Sequence, residues 1–146
     1  MTDVFELFTD GGSRGNPGEA GCGFVLFKNG EPYKEGCLYL GTATNNQAEY
    51  RGLIEGLILA HTHNIDELIV KMDSELIVKQ MQKLYKVRDQ GLKILYDQVV
   101  QYCTCFRKIT FVHVPRAENK YADMLANKAM DTREPVEQSR GVLFTP

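Results

Sequence analysis

The apolar and polar positions of the chain alternate in runs that predict five strands and four helices. Short runs rich in β-forming residues predict strands at residues 3–9, 22–28, 31–40, 66–73 and 108–114. Apolar residues at helical spacing predict helices at residues 46–62, 74–85, 89–103 and 117–130. A strand–helix–strand connection requires a right-handed crossover between parallel strands. The pattern therefore predicts an α/β protein with a mixed five-stranded sheet and helices packed on its faces.

The first three strands are predicted to form an antiparallel meander. Asn29-Gly30 is a strong hairpin signal, and pairing across this two-residue turn places Cys22 opposite Cys37. Pro32 lacks a backbone N–H, which makes the third strand an edge strand. Between the first two strands the sequence is rich in glycine, and this composition predicts a loop of about ten residues beside Asp10.

Four acidic residues stand where the predicted elements meet. Asp10 and Asp73 end the first and fourth strands. Glu49 lies in the first turn of the first helix, and Asp123 lies early in the last helix. If the first and fourth strands are adjacent, all four carboxylates share one end of the sheet, where ligands of such sheets usually bind.

Carboxylates that meet at one place require a positive partner. Two of them about 4 Å apart repel by roughly 4 kcal/mol at an effective dielectric of 20. Oxygen ligands favour Mg²⁺ or Mn²⁺, and two such ions can hold the attacking and leaving oxygens of a phosphodiester in line. A single acid is more often a surface charge, but four acids from four elements favour a metal site.

Composition narrows the class of protein. The 146 residues carry a net charge of −2, which fits one globular domain and does not by itself indicate a nucleic-acid-binding protein. The sequence starts without a basic-then-apolar leader, and no stretch reaches the roughly 18 apolar residues that cross a bilayer. The four cysteines show neither zinc-site spacing nor a CxxC pair. We therefore expect a cytoplasmic protein with free thiols and no membrane contact.

Four segments carry a resemblance to a known family: TDGGSRGNPGEAGCGFV, TNNQAEYRGLIEGL, MDSELIVKQM and VPRAENKYADMLANKA. Together they resemble type 1 ribonuclease H, in its compact form without the long basic protrusion. The resemblance implies the ribonuclease H-like fold with strand order 3-2-1-4-5, in a domain at residues 1–130 followed by a tail at 131–146. It also implies a monomeric endonuclease that cuts the RNA strand of an RNA–DNA hybrid and leaves 5′-phosphate and 3′-hydroxyl ends.

The resemblance also assigns roles to individual residues. It implies that Asp10, Glu49, Asp73 and Asp123 bind two ions, Mg²⁺ or Mn²⁺ in its place, when substrate is bound. The implied substrate contacts are Gly11, Asn16, Thr44, Asn45, Asn46, Gln47, Ser74 and Lys86. The residues at the start of the first helix are expected to line the minor groove, where 2′-hydroxyls identify RNA, and Thr44 suits a phosphate. The glycine-rich loop is expected to grip the substrate.

The most basic stretch of the chain lies between residues 79 and 93. It contains Lys79, Lys83, Lys86, Arg88 and Lys93, with Tyr85 available to stack on a sugar or a base. A nucleic-acid contact and a solvated helix face are both open interpretations. Glu75 stands where some relatives carry a neutral amide, which puts a minor-groove contact there in doubt.

A further residue that assists turnover is expected ahead of Asp123. In the protrusion-bearing branch of the family, a mobile histidine in a glycine-flanked loop has this role. His113 lies inside an apolar strand pattern without a neighbouring glycine, which favours a structural role. We therefore predict that Arg116, at the start of the following loop, stabilises the phosphate or helps the product to leave.

Two rival functions stay open at the level of sequence. One is a non-catalytic module that binds hybrids, although the complete set of four acids argues against it. The other is a transposase- or resolvase-like nuclease on the same fold, although the sequence contains no segment for a DNA-specific domain. For the apolar run GVLF at residues 141–144, docking on a sheet edge or on a neighbour and an undocked tail are both open interpretations.

Overall fold

The computed structural model describes residues 2–133, which fold around one five-stranded sheet. The strands are β1 (Phe5–Gly15), β2 (Gly18–Lys28), β3 (Glu31–Ala43), β4 (Glu67–Met72) and β5 (Lys108–His113). The helices are α1 (Asn45–Thr62), α2 (Glu75–Met81), α3 (Gln90–Cys103) and α4 (Lys120–Thr132), with a short 3₁₀ turn at Arg116–Glu118. This order of elements confirms the predicted α/β class.

The sheet is mixed, as the crossover connections require. Its strand order is β3-β2-β1-β4-β5, which confirms the expected ribonuclease H-like topology. The first three strands form an antiparallel meander, whereas β4 is parallel to both β1 and β5. The carboxyl ends of β1 and β4 therefore point toward the same edge of the sheet.

Helices pack on both faces of the sheet. Gly23 of β2 faces α4, where a Cβ would lie 2.4 Å from the carbonyl oxygen of Ala122. The adjacent Cys22 faces α1, where a Cβ on Gly52 would lie 3.2 Å from its own Cβ. Since α3 packs on α1 from the outside, α1 is buried on nearly all sides. One stripe of α4 is also buried; it consists of Ala122, Leu125, Ala126 and Ala129.

The predicted long loop beside Asp10 is wrong. β1 continues to Gly15 and β2 begins at Gly18, so that only Asn16 and Pro17, joined by a cis peptide bond, form the turn. Gly15 has a φ of 109°, and a Cβ on Gly18 would lie 2.4 Å from the carbonyl oxygen of Arg14. These glycines serve a tight hairpin. A strand rich in glycine lacks the apolar alternation by which sequence reveals strands.

The predicted pairing of Cys22 with Cys37 is also wrong. Phe27 pairs with Pro32 as expected, but the register shifts directly afterwards, and Cys37 lies opposite Gly23. Tyr33 is the extra residue that produces this bulge. Bulges are common at sheet edges and beside prolines, and the apolar pattern of an edge strand does not reveal them. All four cysteines are free.

The described residues end just after α4. α4 ends at Thr132, two residues past the domain boundary expected at 130. The GVLF run lies outside the described residues, as does the rest of the expected tail after residue 133. None of the helices within residues 2–133 combines the length and apolar character needed to cross a membrane.

Candidate active site

Asp10 and Asp73 lie close together because their strands are parallel neighbours. The β1–β4 ladder ends where Phe8 pairs with Lys71, and each aspartate follows two residues after that pair. Asp10 is only 9% exposed, whereas Asp73 is half-buried just beyond the end of β4. The structure therefore brings the two carboxylates together in the way that parallel pairing predicts.

Glu49 reaches the same place from the first helix. The Thr44 side chain accepts a hydrogen bond from the backbone N–H of Gln47, and the Gln47 side chain accepts one from the N–H of Thr44. This capping box fixes the start of α1, and Glu49 lies about one turn further on. Gly11 permits the close packing, since a Cβ there would lie 2.2 Å from the carbonyl oxygen of Ala48.

The carboxylates of Asp10, Glu49 and Asp73 form a tight cluster, with one oxygen of each within 4.8 Å of the others. Burial, followed by the charge of Asp73, raises the pKa of Asp10 to about 8. Burial also raises the pKa of Glu49 well above its usual range, with the charge of Asp10 as the next cause. The buried Oε1 of Glu49 has no hydrogen-bond partner within residues 2–133. Protons or cations must therefore relieve the repulsion.

A cleft of about 520 Å³ opens beside this cluster. Asp123, from the first turn of α4, lines the cleft, and its carboxyl group faces that of Asp10. Arg116, from the 3₁₀ turn, lines the same cleft and adds a permanent positive charge. The structure thus gathers the four predicted acids and the predicted arginine into one cavity.

Asn119 is a buried residue of the site that the sequence pattern did not single out. Its side-chain amide donates to Asp73 Oδ1 at 3.0 Å and to the carbonyl oxygen of Thr9 at 2.9 Å. An asparagine just ahead of a helix is usually a cap. Because its two partners lie 46 and 110 residues away in sequence, no local signal marks this arrangement.

The turn of the β1–β2 hairpin is tied to the start of α1. Asn16 Oδ1 accepts from the backbone N–H of Asn45 at 3.0 Å, and Asn45 Oδ1 accepts from the N–H of Ser13 at 2.9 Å. A second cleft, of about 420 Å³, lies here, and its walls include Asn16, Thr44, Asn45, Asn46 and Gln47. Asn45 lines both clefts, so the predicted substrate contacts adjoin the acids.

Ser74 and Glu75 begin the short helix that follows Asp73. The Ser74 side chain accepts from the N–H of Ile77 at 3.3 Å and is the N-cap of α2. Glu75 is exposed to solvent, and its Oε2 atom lies 3.7 Å from the Nζ atom of Lys79 on the next turn. Ser74 is therefore next to the acid cluster in sequence, with its oxygen engaged in capping.

The basic stretch forms a third cleft, of about 290 Å³. Its walls are Lys83, Tyr85, Lys86, Val87, Lys93 and Tyr96. Tyr85 is 48% exposed, and the Nζ atom of Lys79 lies 5.2 Å from the centre of its ring. In proteins that bind single-stranded nucleic acids, basic side chains contact the phosphate backbone and aromatic side chains stack on the bases. The third cleft contains both kinds of side chain.

His113 is not among the described residues that line the acid cleft. It is the last residue of β5, pairs with Met72 in the sheet register, and is exposed. Arg116 lines the acid cleft, while His113 stands at the strand end before the connecting segment. Of the two residues considered from sequence, Arg116 is therefore the one that the fold places in the wall of the acid cleft.

The acid cleft fits a hard divalent cation. Its clustered donors are all carboxylate oxygens, the ligand type that Mg²⁺ and Mn²⁺ prefer. Burial and mutual repulsion raise the pKa values of Asp10 and Glu49, and the buried Oε1 of Glu49 accepts no hydrogen bond from residues 2–133, so a bound cation would relieve the repulsion. Strand order and acid cluster together define a ribonuclease H-like protein.

Known proteins place the chain within a family. The family model described as "Reverse transcriptase-like" matches residues 8–129. Ribonuclease HI of Halobacterium salinarum is 41% identical over 125 residues, which cover 85% of this chain and 63% of that protein. The crystal structure of LC11-RNase H1 in complex with an RNA/DNA hybrid matches with a TM-score of 0.85 and 41% identity, over 88% of this chain and 98% of that one. The chain belongs to the ribonuclease H family.

Some relatives are considerably longer than this chain. The bifunctional protein Rv2228c of Mycobacterium tuberculosis is 49% identical over 124 residues, which cover 84% of this chain but 34% of that protein. The chain thus spans about a third of the length of that relative.

Proposed function

We propose that this chain is an endonuclease that hydrolyses the RNA strand of RNA–DNA hybrids and leaves 5′-phosphate and 3′-hydroxyl ends. The observation that carries the proposal is the cluster of Asp10, Glu49 and Asp73, whose oxygens lie within 4.8 Å of one another beside an open cleft. The relative LC11-RNase H1, crystallised with an RNA/DNA hybrid, supports this substrate. Clustered negative charge alone would repel a nucleic acid, which favours hydrolysis over simple binding.

Magnesium is the proposed cofactor, with manganese as a substitute. Asp10, Glu49, Asp73 and Asp123 would hold two ions when substrate is bound. Such a pair of ions stabilises the charges on the attacking and leaving oxygens of a phosphodiester. Asp10 and Glu49 must lose their protons to serve as ligands, and their raised pKa values make that loss part of cation binding.

Arg116 is proposed to bind the phosphate at the scissile position. Its guanidinium is charged at every working pH and presents donors in a planar fork that matches phosphate oxygens. It cannot act as a general base, so its contribution is electrostatic. The position of Arg116 in the wall of the acid cleft supports this role.

The hybrid is proposed to extend from the acid cleft across the start of α1 to the basic cleft. The proposed contacts are Gly11, Asn16, Thr44, Asn45, Asn46, Gln47, Ser74 and Lys86. Asn45 lines both the first and second clefts, while Leu92 of the second cleft precedes Lys93 of the third. These shared and adjacent walls support one continuous binding surface.

We also propose that the protein acts as a monomer in the cytoplasm. The acids, the arginine and the substrate clefts all come from one chain, so a second copy is not needed to complete the site. The four free cysteines suit a reducing compartment.

The test is a comparison of end-labelled RNA–DNA hybrid, duplex DNA and duplex RNA, each incubated with Mg²⁺ and with a chelator. We expect cleavage of the RNA strand of the hybrid only, and only with Mg²⁺. Asp73→Asn is the matched inactive variant, since the amide keeps the shape of the side chain and removes the charge that a cation needs. End analysis of the products checks for 5′-phosphate and 3′-hydroxyl groups.

Two results would contradict the proposal. Cleavage of duplex DNA at a comparable rate would indicate a transposase- or resolvase-like nuclease. Tight binding of hybrid without cleavage of any substrate would indicate a binding module.

A further inference from the structure

We infer that Asn119 is a positioning residue that holds Asp73 and the strand bearing Asp10 in the geometry required for a divalent cation. The inference rests on the proposed function only in taking these acids as cation ligands. Asn119 is 1% exposed and lies where α4 begins. Its side chain reaches into the sheet and makes no hydrogen bond that caps its own helix.

The orientation of the Asn119 amide follows from its neighbours. Its side-chain nitrogen lies 2.9 Å from the carbonyl oxygen of Thr9 and 3.0 Å from Asp73 Oδ1. Both neighbours accept hydrogen bonds, so the amide nitrogen and not the amide oxygen must face them. Both N–H groups of the amide are thereby used, one on β1 and one on the acid that follows β4.

The backbone of Asn119 adds a third link. Its carbonyl oxygen accepts from the N–H of Asp123 at 3.1 Å, which forms the first turn of α4. Thr9 directly precedes Asp10 in β1. One residue thus connects the elements that carry Asp10, Asp73 and Asp123.

A neutral donor is the suitable group at this position. The amide engages Asp73 Oδ1 without adding charge to a cluster that already repels. A carboxylate at residue 119 would repel Asp73, and a lysine or arginine would compete with a cation for it. Residues that orient metal ligands through hydrogen bonds typically change metal affinity or activity by about 10- to 100-fold when removed.

The experiment separates positioning from simple stabilisation by measuring cation binding without substrate. Mn²⁺ is titrated into wild type, Asn119→Ala and Asn119→Leu by calorimetry, and the melting temperature of each is recorded without metal. The leucine side chain fills the space of the amide but has no hydrogen-bond donor. Asn119→Leu therefore still tests the inference if Asn119→Ala does not fold. Gln82→Ala is the matched control, since the Gln82 amide donates to the backbone carbonyl of Phe111 at 2.9 Å outside the acid cleft.

We expect both Asn119 variants to bind Mn²⁺ about tenfold or more weakly than wild type. Gln82→Ala should have a lower melting temperature than wild type but bind Mn²⁺ with the same affinity. In hydrolysis assays, the half-saturating Mg²⁺ concentration should rise for the Asn119 variants, and high Mg²⁺ should restore part of the rate.

Unchanged Mn²⁺ affinity in a folded Asn119 variant, with only the melting temperature lowered, would overturn the inference. Failure of the proposed function is a separate result. In that case wild type cuts no hybrid, while the Mn²⁺ titrations still report on Asn119.

Discussion

Burial and the neighbouring charge of Asp73 favour the protonated form of Asp10 at neutral pH when no cation is bound. Its pKa is about 8 in the folded state, because of burial and the charge of Asp73, against 3.8 for an ordinary aspartate. The folded protein therefore binds more protons than the unfolded chain between these two values. Under such linkage, the stabilising contribution is fully present below the lower pKa and is lost as pH rises through the higher one.

We therefore expect Asp10→Asn to flatten the pH dependence of stability. In the presence of chelator, the free energy of unfolding of wild type should fall between pH 4 and pH 8, while the variant should lose less over this range and melt higher at pH 8. Urea titrations at several pH values measure the effect. Asp97→Asn is the control: it removes an exposed carboxylate that pairs with Lys93 on α3, a surface pair worth little, and it should keep the wild-type slope. Equal slopes for Asp10→Asn and wild type would contradict the expectation.

Alanine substitutions at Arg116 and at His113, three residues apart, are expected to affect kcat differently. Arg116→Ala should lower kcat by tenfold or more, about 1.4 kcal/mol of barrier, because the acid cleft loses the positive charge of Arg116, while its other arginine, Arg14, pairs with Asp131. His113→Ala should leave kcat near that of wild type, since the exposed imidazole lies at the end of β5. Steady-state kinetics on a hybrid substrate compare the two. The reverse pattern would assign the function to the histidine.

Individual residues differ in how far sequence alone reveals them. The four acids could be predicted because each stands at the end of a strand or in the first turns of a helix, and sheet topology then brings them together. Asn119 could not, since its local position indicates a cap and its partners are set by tertiary packing. Arg116 could be selected only by weighing it against His113.

At the level of elements, the contact between β1 and α1 determines where Glu49 lies. A Cβ on Gly11 would overlap the carbonyl oxygen of Ala48 at 2.2 Å, whereas the nearest atom to a Cβ on Gly12 would be 3.8 Å away. The two adjacent glycines therefore provide a test position and its control for alanine substitution. One is required by packing against α1, and the other faces the open cleft.

Gly11→Ala is expected to lower the free energy of unfolding by about 1–3 kcal/mol, because the added methyl group must push the first turns of α1 away from β1. It should also reduce hydrolysis, since Glu49 moves with the helix. Gly12→Ala should keep the wild-type stability. Guanidinium unfolding curves test the pair, and equal stability of the two variants would show that the close contact is unimportant.

The elements also show where prediction from sequence ends. Strand and helix types follow from hydrophobic period, and the strand order follows from the crossovers. The sequence does not predict the tight β1–β2 hairpin, because its glycines carry no alternating signal and its close contacts involve backbone atoms. The β2–β3 register was missed because Tyr33 adds a residue at an edge, where little burial constrains pairing.

At the scale of the whole molecule, the net charge is negative, but one part of the surface is rich in lysine. The chain carries a net charge of −2, yet the third cleft gathers Lys83, Lys86 and Lys93 around two tyrosines. A polyanionic hybrid would meet this surface through phosphate contacts, which release counterions and make binding depend on salt.

Replacement of Lys83, Lys86 and Arg88 by alanine should raise KM and reduce its salt dependence, by roughly one unit of log–log slope per lost phosphate contact. The kcat value should change little, because these residues lie outside the acid cleft. Alanine at Lys34 and Lys108 removes two exposed charges elsewhere and should leave the slope unchanged. An unchanged slope in the triple variant would identify the basic stretch as a solvated surface.

The separation of the site residues along the chain has a consequence for the order of synthesis. Asp10 and Glu49 leave the ribosome early, while Asn119 and Asp123 come from the start of α4, the last described element. Contacts between such distant residues form only after the intervening chain has closed, which makes them late events in folding. A chain that has been synthesised only as far as β5 lacks both Asn119 and Asp123, so its acid site is incomplete. On the proposed function, hydrolysis therefore requires the last helix to dock, and a nascent or truncated chain without α4 is inactive.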